Sequence, residues 1–532
     1  MLRVLLLFLF AIPQSGFAQT QIEADPFAAA FISRNIDLNR LQQHLEKIAS
    51  NEFEGRETGT PGSARAAQYL IQELKNSQVE KAPGHRDYFQ QVAFTWIKWE
   101  NLGVEVNGTE YKHLWDFLSF HDENHNLPYL RIKDVVFLGY GIDDPAYSDY
   151  ANANVRSKVI MIYPGEPLSP DSISYISGSR DPSEWAGNIQ KKLAIAAKHK
   201  VRMVLIIDPQ IRSNVSVHRN RVLSQSLYFG KVQKPDLPNH IFISTQIAKE
   251  IIGEKWNPFL QNQHSLRNTG VGRPLRLPVK MNVQQHISRN VLYDKNVIGY
   301  IEGVDSSLKD EVVVLSAHYD HLGRRGNSIF RGADDNASGT TALLEIMRVV
   351  AEAKNKNLGP RRSVMAIFFT GEEKGLLGSE YFSENPSIPL ENITVNINID
   401  MIGRTDRDHE ESPQYIYVIG SNRLSTDLHN INEAVNNHFS HLQLDYTYNA
   451  KNDPNRYYYR SDHYNFAKKG IPSIFFFTGT HEDYHRPGDT PDKILYSKYH
   501  EITTHIYHLV WEIANRDKRI RVDVVDDTVY DR

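Results

Sequence analysis

Acidic and imidazole side chains collect directly after apolar runs in the second half of this sequence. EVVVLSA is followed by His318, Tyr319 and Asp320, and a loop later GADDNASG carries Asp334 and Asp335. SVMAIFF leads to Gly371, Glu372 and Glu373, and ITVNINI leads to Asp400. PSIFFF is followed, past a short loop, by Tyr484 and His485. In open α/β sheets, sites form outside the carboxyl ends of the strands. One acid at a strand end is an ordinary loop residue, and an acidic pair opening a helix is ordinary dipole pairing. Four such strand ends and one acidic loop in a single chain form a pattern. Clustered carboxylates repel one another and lose hydration, and a cation is their natural compensation.

The residue types narrow the cation. The chain has no cysteine, which excludes disulfides, thiolate ligands and thiol nucleophiles. Imidazole with carboxylate suits zinc, with manganese, cobalt or iron as lesser options. Two imidazoles and three carboxylates exceed the roughly three protein ligands of one catalytic zinc. They suit two ions about 3.5–4 Å apart that share a bridging carboxylate.

The elements that must position these groups alternate. Asn290 onward reads strand, helix, strand: EVVVLSA, SGTTALLEIMRVVAEA, SVMAIFF, LLGSEYFSEN, ITVNINI, QYIYVI and PSIFFF. Continuous apolar strands between helices predict an α/β fold, a mainly parallel central sheet covered on both faces. Earlier, Asp37–Ala49 and Ala64–Leu74 carry a helical period around the turn-rich FEGRETGTPGS, and Gln90–Lys98 alternates as a strand. DVVFLGYGI, SKVIMIYPG, QKKLAIAAKHK and VRMVLIID predict a smaller inserted α/β domain over 116–288. It would separate an N-terminal part, 19–115, from the main part, 289–517, with 518–532 a charged tail.

The net charge of -4 leaves no excess of Lys and Arg to neutralise phosphates, which argues against a nucleic-acid partner. Residues 1–18, MLRVLLLFLFAIPQSGFA, carry a basic start, an apolar stretch too short to span a bilayer, and small residues before a cut near Ala18. They predict an exported product, periplasmic or secreted. No later stretch approaches a membrane span. Oligomeric state is not legible.

SAHYDHLG, GADDNASG, TGEEKGLLGS, NIDMIGR, RSDHYNF and DYHRPGDT, in this order across about 200 residues, resemble the motifs of the co-catalytic zinc aminopeptidases. This is peptidase family twenty-eight, whose relatives include glutamate carboxypeptidase II and the transferrin receptor. GRETGTPGSARAAQYL is similar to the family's N-terminal helix region. The insert resembles a protease-associated domain through GYGI, SDY and SKVIMI. The resemblance implies two zinc ions, one on His318 and Asp400, the other on Glu373 and His485, with Asp335 bridging and a cis peptide after it. It implies Glu372 as general base, Tyr484 as oxyanion donor and Arg460 at substrate or product backbone. Asp320 would accept a hydrogen bond from the His318 imidazole. Acids beside the metals favour a free α-amino group, so the expected activity is that of an aminopeptidase on peptide substrates. A carboxypeptidase, with Arg456, Arg460 or Arg486 taking a terminal carboxylate, is the alternative. A glutaminyl cyclase on the same fold would use one zinc, and a receptor-like relative would have lost ligands that are all present here.

Overall fold

Strands β1 (Val312–His318), β2 (Ser363–Phe369) and β3 (Ile393–Ile399) are buried at every residue. β1 and β3 are rich in β-branched residues and β2 ends in two phenylalanines, which suit a pleated surface packed on both sides. In the computed structural model, which describes residues 20–223, 226–229 and 236–528, they sit side by side in one sheet with β4 (Tyr415–Ile419), β5 (Gln443–Asp445) and β6 (Ser473–Phe477). The targeting segment expected at 1–18 lies outside the described residues. The order is β5-β4-β6-β3-β1-β2, closed by residues 297–301. β6, β3, β1 and β2 run parallel, while β4 and residues 297–301 are antiparallel to their inner neighbours. The sheet is therefore mainly parallel, as the apolar runs predict.

Alternation along the strands splits the core in two. Val313, Leu315, Ala317, Val364, Ala366 and Phe368 face one core, and Val312, Val314, Met365, Ile367 and Phe369 face the other. The first core takes Leu41 and Leu45 of α1 (Leu38–Ile48), Leu70 and Leu74 of α2 (Pro61–Asn76), Leu343 and Met347 of α3 (Gly339–Asn355), and Ile506 and Leu509 of α4 (Tyr496–Asn515). Helix α2 begins earlier than its apolar period, because Thr60 caps the Ser63 N–H and Pro61 takes the first turn.

The chain divides into two compact units. One takes residues up to Ala93 and from Tyr293 on, the other Phe94–Leu292. The sequence places the second unit at 116–288. It starts earlier because the hairpin pairing Val104 with Tyr111 sends Val104, Val106 and Tyr111 into the second unit's core. That unit has its own parallel strands, residues 135–137, Val159–Ile162, Met203–Ile207 and Asn239–Ile243, with helices such as Ile189–Lys198 and Thr245–Ile252.

The stretch expected to be a charged tail, as far as Thr528, makes specific contacts with the first unit. Ile520 is buried, Arg521 forms a two-pronged ion pair with Asp427 at 2.7–2.8 Å, and the Asp523 N–H donates to the Leu424 carbonyl at 3.1 Å. Two residues of the stretch, Ile520 and Asp526, are buried and several of its charges have specific partners, while most of it stays exposed. Among the described residues no helix is long and apolar enough to cross a membrane.

Candidate functional site

The sheet delivers the predicted groups to one place. His318 ends β1, Glu372 and Glu373 follow β2, Asp400 follows β3, and Tyr484 and His485 follow β6. Asp335 arrives on the turn 333–338 ahead of α3, and its peptide bond to Asn336 is cis, as the resemblance implies. Gly332 opens that turn at φ 54°, where a Cβ would stand 2.0 Å from the Asp335 carbonyl oxygen. Only glycine fits there.

Asp335 lies between two donor sets. On one side, His318 Nε2 is 3.2 Å from Asp400 Oδ1 and 3.5 Å from Asp335 Oδ1. On the other, His485 Nε2 is 3.2 Å from both Asp335 Oδ2 and Glu373 Oε2. Atoms sharing one tetrahedral zinc at about 2.0–2.2 Å stand roughly 3.3–3.6 Å apart. Both sets fit a divalent cation. His318, Asp335, Glu372, Asp400, Arg460, Tyr484 and His485 all line one cleft, walled by Met401, Tyr457, Phe475 and Phe477.

The charges call for a cation as well. Burial lowers the His318 pKa, but Asp400, Glu372 and Asp335 outweigh it and hold the imidazole well above its usual value. Burial is likewise outweighed at His485, where Asp335 and Glu373 lift the imidazole to about 10. Burial raises Glu372 well above an ordinary carboxylate, and Asp400, Glu373 and Asp462 add to that. Burial pushes Glu373 the same way, yet His321 and His485 pull it well below. The acids thus hold protons on two imidazoles, and cation binding would displace those protons.

Residues 296–510 match Peptidase family M28. Aminopeptidase YwaD of Bacillus subtilis is 27% identical over 232 residues, 42% of this chain and 46% of that protein. A probable leucine aminopeptidase of Arthroderma otae is 28% identical over 221 residues, 40% of this chain and 57% of that protein. The chain thus spans about half the length of these curated relatives. The aminopeptidase from Aneurinibacillus sp. strain AM-1 shares the fold, at a TM-score of 0.54 and 17% identity over 94% of this chain and 98% of that one.

Around this centre, the supports differ from expectation at Asp320. His318 Nδ1 donates to the Asp320 backbone carbonyl at 3.1 Å, while the nearer carboxylate oxygen is 3.7 Å away. That carboxylate is already engaged by the Thr58 hydroxyl at 2.8 Å and the Glu372 N–H at 3.2 Å. Asp320 therefore holds the Glu372 backbone, and burial raises its own pKa to about 6. Ser461 donates to Asp400 Oδ2 at 2.7 Å. Arg460 donates to the Tyr484 hydroxyl at 3.3 Å, and the Tyr484 ring stacks on His485.

Three residues around this centre escape sequence reasoning. His321 Nδ1 lies 2.8 Å from Glu373 Oε1 and 3.7 Å from Asp335 Oδ2, so it also groups with them as a possible ligand set. The shorter distance is that of a hydrogen bond, and it orients Glu373 while His485 has the ligand spacing. The cue was present in HYDH, which puts a second imidazole three residues after His318. Asp489 accepts the Asp334 and Asp335 N–H groups at 3.0–3.1 Å and so fixes the bridging turn. Arg56, wholly buried, donates to the carbonyls of Ile48, Tyr319, Arg331 and Gly332 at 2.6–3.0 Å. Replacing it, as in Arg56→Met, strands three buried acceptors and a part-buried one beside an acidic cluster. The expected cost is about 3–5 kcal/mol, on the scale of a broken buried charge network. Urea unfolding of the variant against the parent measures it, and a change under about 1 kcal/mol would show that Arg56 is dispensable.

Proposed function

We propose that this chain is an exported zinc-dependent aminopeptidase that hydrolyses the N-terminal peptide bond of peptides. The observation that carries the reading is Asp335, whose two carboxylate oxygens face different imidazole and carboxylate partners. His318 and Asp400 would hold one zinc, Glu373 and His485 a second, with Asp335 shared; manganese or cobalt fits the same donors. When bound, such ions supply Lewis acidity and bring the pKa of water to about 7.

The side chains then divide the work. Glu372 reaches the cleft with Oε2 3.9 Å from His318 Nε2, and its backbone is held by Asp320. It takes a proton from the attacking water and passes it to the leaving amine. The Tyr484 phenol donates to the oxygen that gains charge in the tetrahedral state. Arg460, beside that phenol, takes substrate or product backbone. Glu372 and Asp400 draw the free α-amino group, which orients the peptide by its N-terminus.

Tyr484→Phe removes one donor to the developing charge and nothing from the cation sites. The expected result is a fall of about 10²–10³ in kcat with little change in KM. A variant with unaltered kcat removes the phenol from the mechanism.

The test of the whole reading is a panel of aminoacyl chromogenic amides, with and without chelator, alongside a zinc count per chain. Chelator-sensitive turnover with two zinc ions supports it. Turnover confined to N-blocked peptides would favour the carboxypeptidase reading, for which Arg460 in the cleft is the structural argument. One zinc with pyroglutamate formation would favour the cyclase. The second unit is read as a protease-associated domain, and export through residues 1–18 is checked by N-terminal sequencing of the mature product.

A further inference from the structure

Arg423 and Asp526 form a buried ion pair away from the cation-binding groups. Arg423 is 4% exposed and the Asp526 side chain is fully buried, with Nη1 3.5 Å from Oδ2. Both lie against the turn Tyr457–Tyr459. The Arg423 guanidinium stands 4.6 Å over the Tyr458 ring and donates to the Asn449 carbonyl at 2.9 Å. The neighbouring Tyr448 ring packs on Tyr457 at 4.6 Å. From the other side, Thr528 is bound to Asp526 at 2.6 Å and accepts, through its carbonyl, from the Tyr459 hydroxyl at 3.4 Å. Lys451 reaches Asp527 at 2.6 Å. The turn so clamped carries two residues of the cleft wall, Tyr457 and Arg460, the latter stacked on the former at 4.8 Å.

We propose that the C-terminal segment 521–528, through Asp526 and Arg423, positions the Tyr457–Arg460 wall and thereby sets substrate affinity. Its effect on turnover rests on the aminopeptidase reading above. Neither side chain touches the reacting groups, so both are positioning residues. The physical reason is that a buried guanidinium tolerates few arrangements. Without its carboxylate it must seek water, and the ring and carbonyl it holds move with it. A pair that only fastened the chain end would lower stability and leave the cleft as it is.

The experiment compares Asp526→Ala, Arg423→Met and the double variant with the parent protein. With aminoacyl amides, each single variant is expected to raise KM about tenfold while kcat stays within about twofold, since wall contacts are shared by ground and transition states. The double variant is expected to be no worse than either single one, because it leaves no orphaned buried charge. Hydrogen exchange supplies a second readout that needs no turnover. Backbone amides at 456–460 should exchange faster in Asp526→Ala, while those of Val312–His318 and Ile393–Ile399 keep the parent's rates. Unchanged exchange at 456–460, or a lower melting temperature with unaltered KM, overturns the proposal. A parent protein inert towards every amide in the panel would instead overturn the aminopeptidase reading, and the exchange data would still decide this one.

Discussion

Glu372→Gln is expected to lower kcat by about 10²–10⁴-fold, the range that a general acid–base group contributes, while the zinc content stays at the parent's level. Glutamine keeps the size of the side chain and the backbone hydrogen bond to Asp320. What it loses is the ability to take a proton. Glu372 stands at the edge of the donor sets, its Oε2 3.9 Å from His318 Nε2, whereas the ligand-spaced pairs are at 3.2–3.5 Å. The base is therefore separable from the ligands. Burial and the neighbouring acids raise its pKa, so it holds its proton to higher pH than an exposed glutamate. A cation beside it would lower that value again and ready it as a base near neutrality. Steady-state assays with elemental analysis of the same samples check the prediction. A variant with the parent's kcat would assign the proton transfer elsewhere, and one that lost its zinc would make Glu372 a ligand.

The convergence of these side chains was largely legible because they sit where topology puts them. His318, Glu373, Asp400 and His485 each follow an apolar strand that needs no partner information to recognise. Asp335 was legible from its motif, since nothing in the composition of GADDNASG separates it from Asp334. The two differ only in the fold. Asp335 faces the imidazoles, while Asp334 accepts the Gly403 N–H at 2.6 Å and pairs with His481 at 3.4 Å.

What escaped was decided by tertiary partners. Helix α4 reads YSKYHEITTHIYHLVWEIAN, with aromatic and β-branched residues that blur a helical period, yet most of it is buried. Packing overrides propensity there. RDKRIRVDVVDDTVYDR reads as a charged tail, and most of its described residues are exposed; charge counts do not reveal the partners it does have, since Asp427, Arg423 and Lys451 are distant in sequence and adjacent in space. Asp320 went to the wrong partner for a related reason. Sequence proximity to His318 says nothing of Thr58, which comes from the loop before α2 and claims the carboxylate first.

Asp335→Ala is expected to empty both cation sites together, whereas His485→Ala empties one. The argument is geometric. Asp335 Oδ1 belongs with His318 and Asp400, and Oδ2 belongs with Glu373 and His485. Removing the shared carboxylate leaves each set with two donors, below the roughly three a catalytic zinc requires. Even residues that only orient a ligand change metal affinity by about 10–100-fold, so the loss of a bridging ligand should exceed 100-fold at both sites. Activity should fall with it to the level of the chelated parent. The substitution removes a partner of the buried His318 and of His485, and the Asp489 carboxylate still holds the turn at 3.0–3.1 Å. The fold around the turn should therefore persist. Zinc titration followed by calorimetry, on Asp335→Ala, His485→Ala and the parent, separates the cases. The expected stoichiometries are near zero, one and two. If Asp335→Ala kept one tightly bound zinc, the carboxylate would serve a single ion and the shared-ligand arrangement would fail. If His485→Ala kept both, His321 at 2.8 Å from Glu373 would be the ligand in its place.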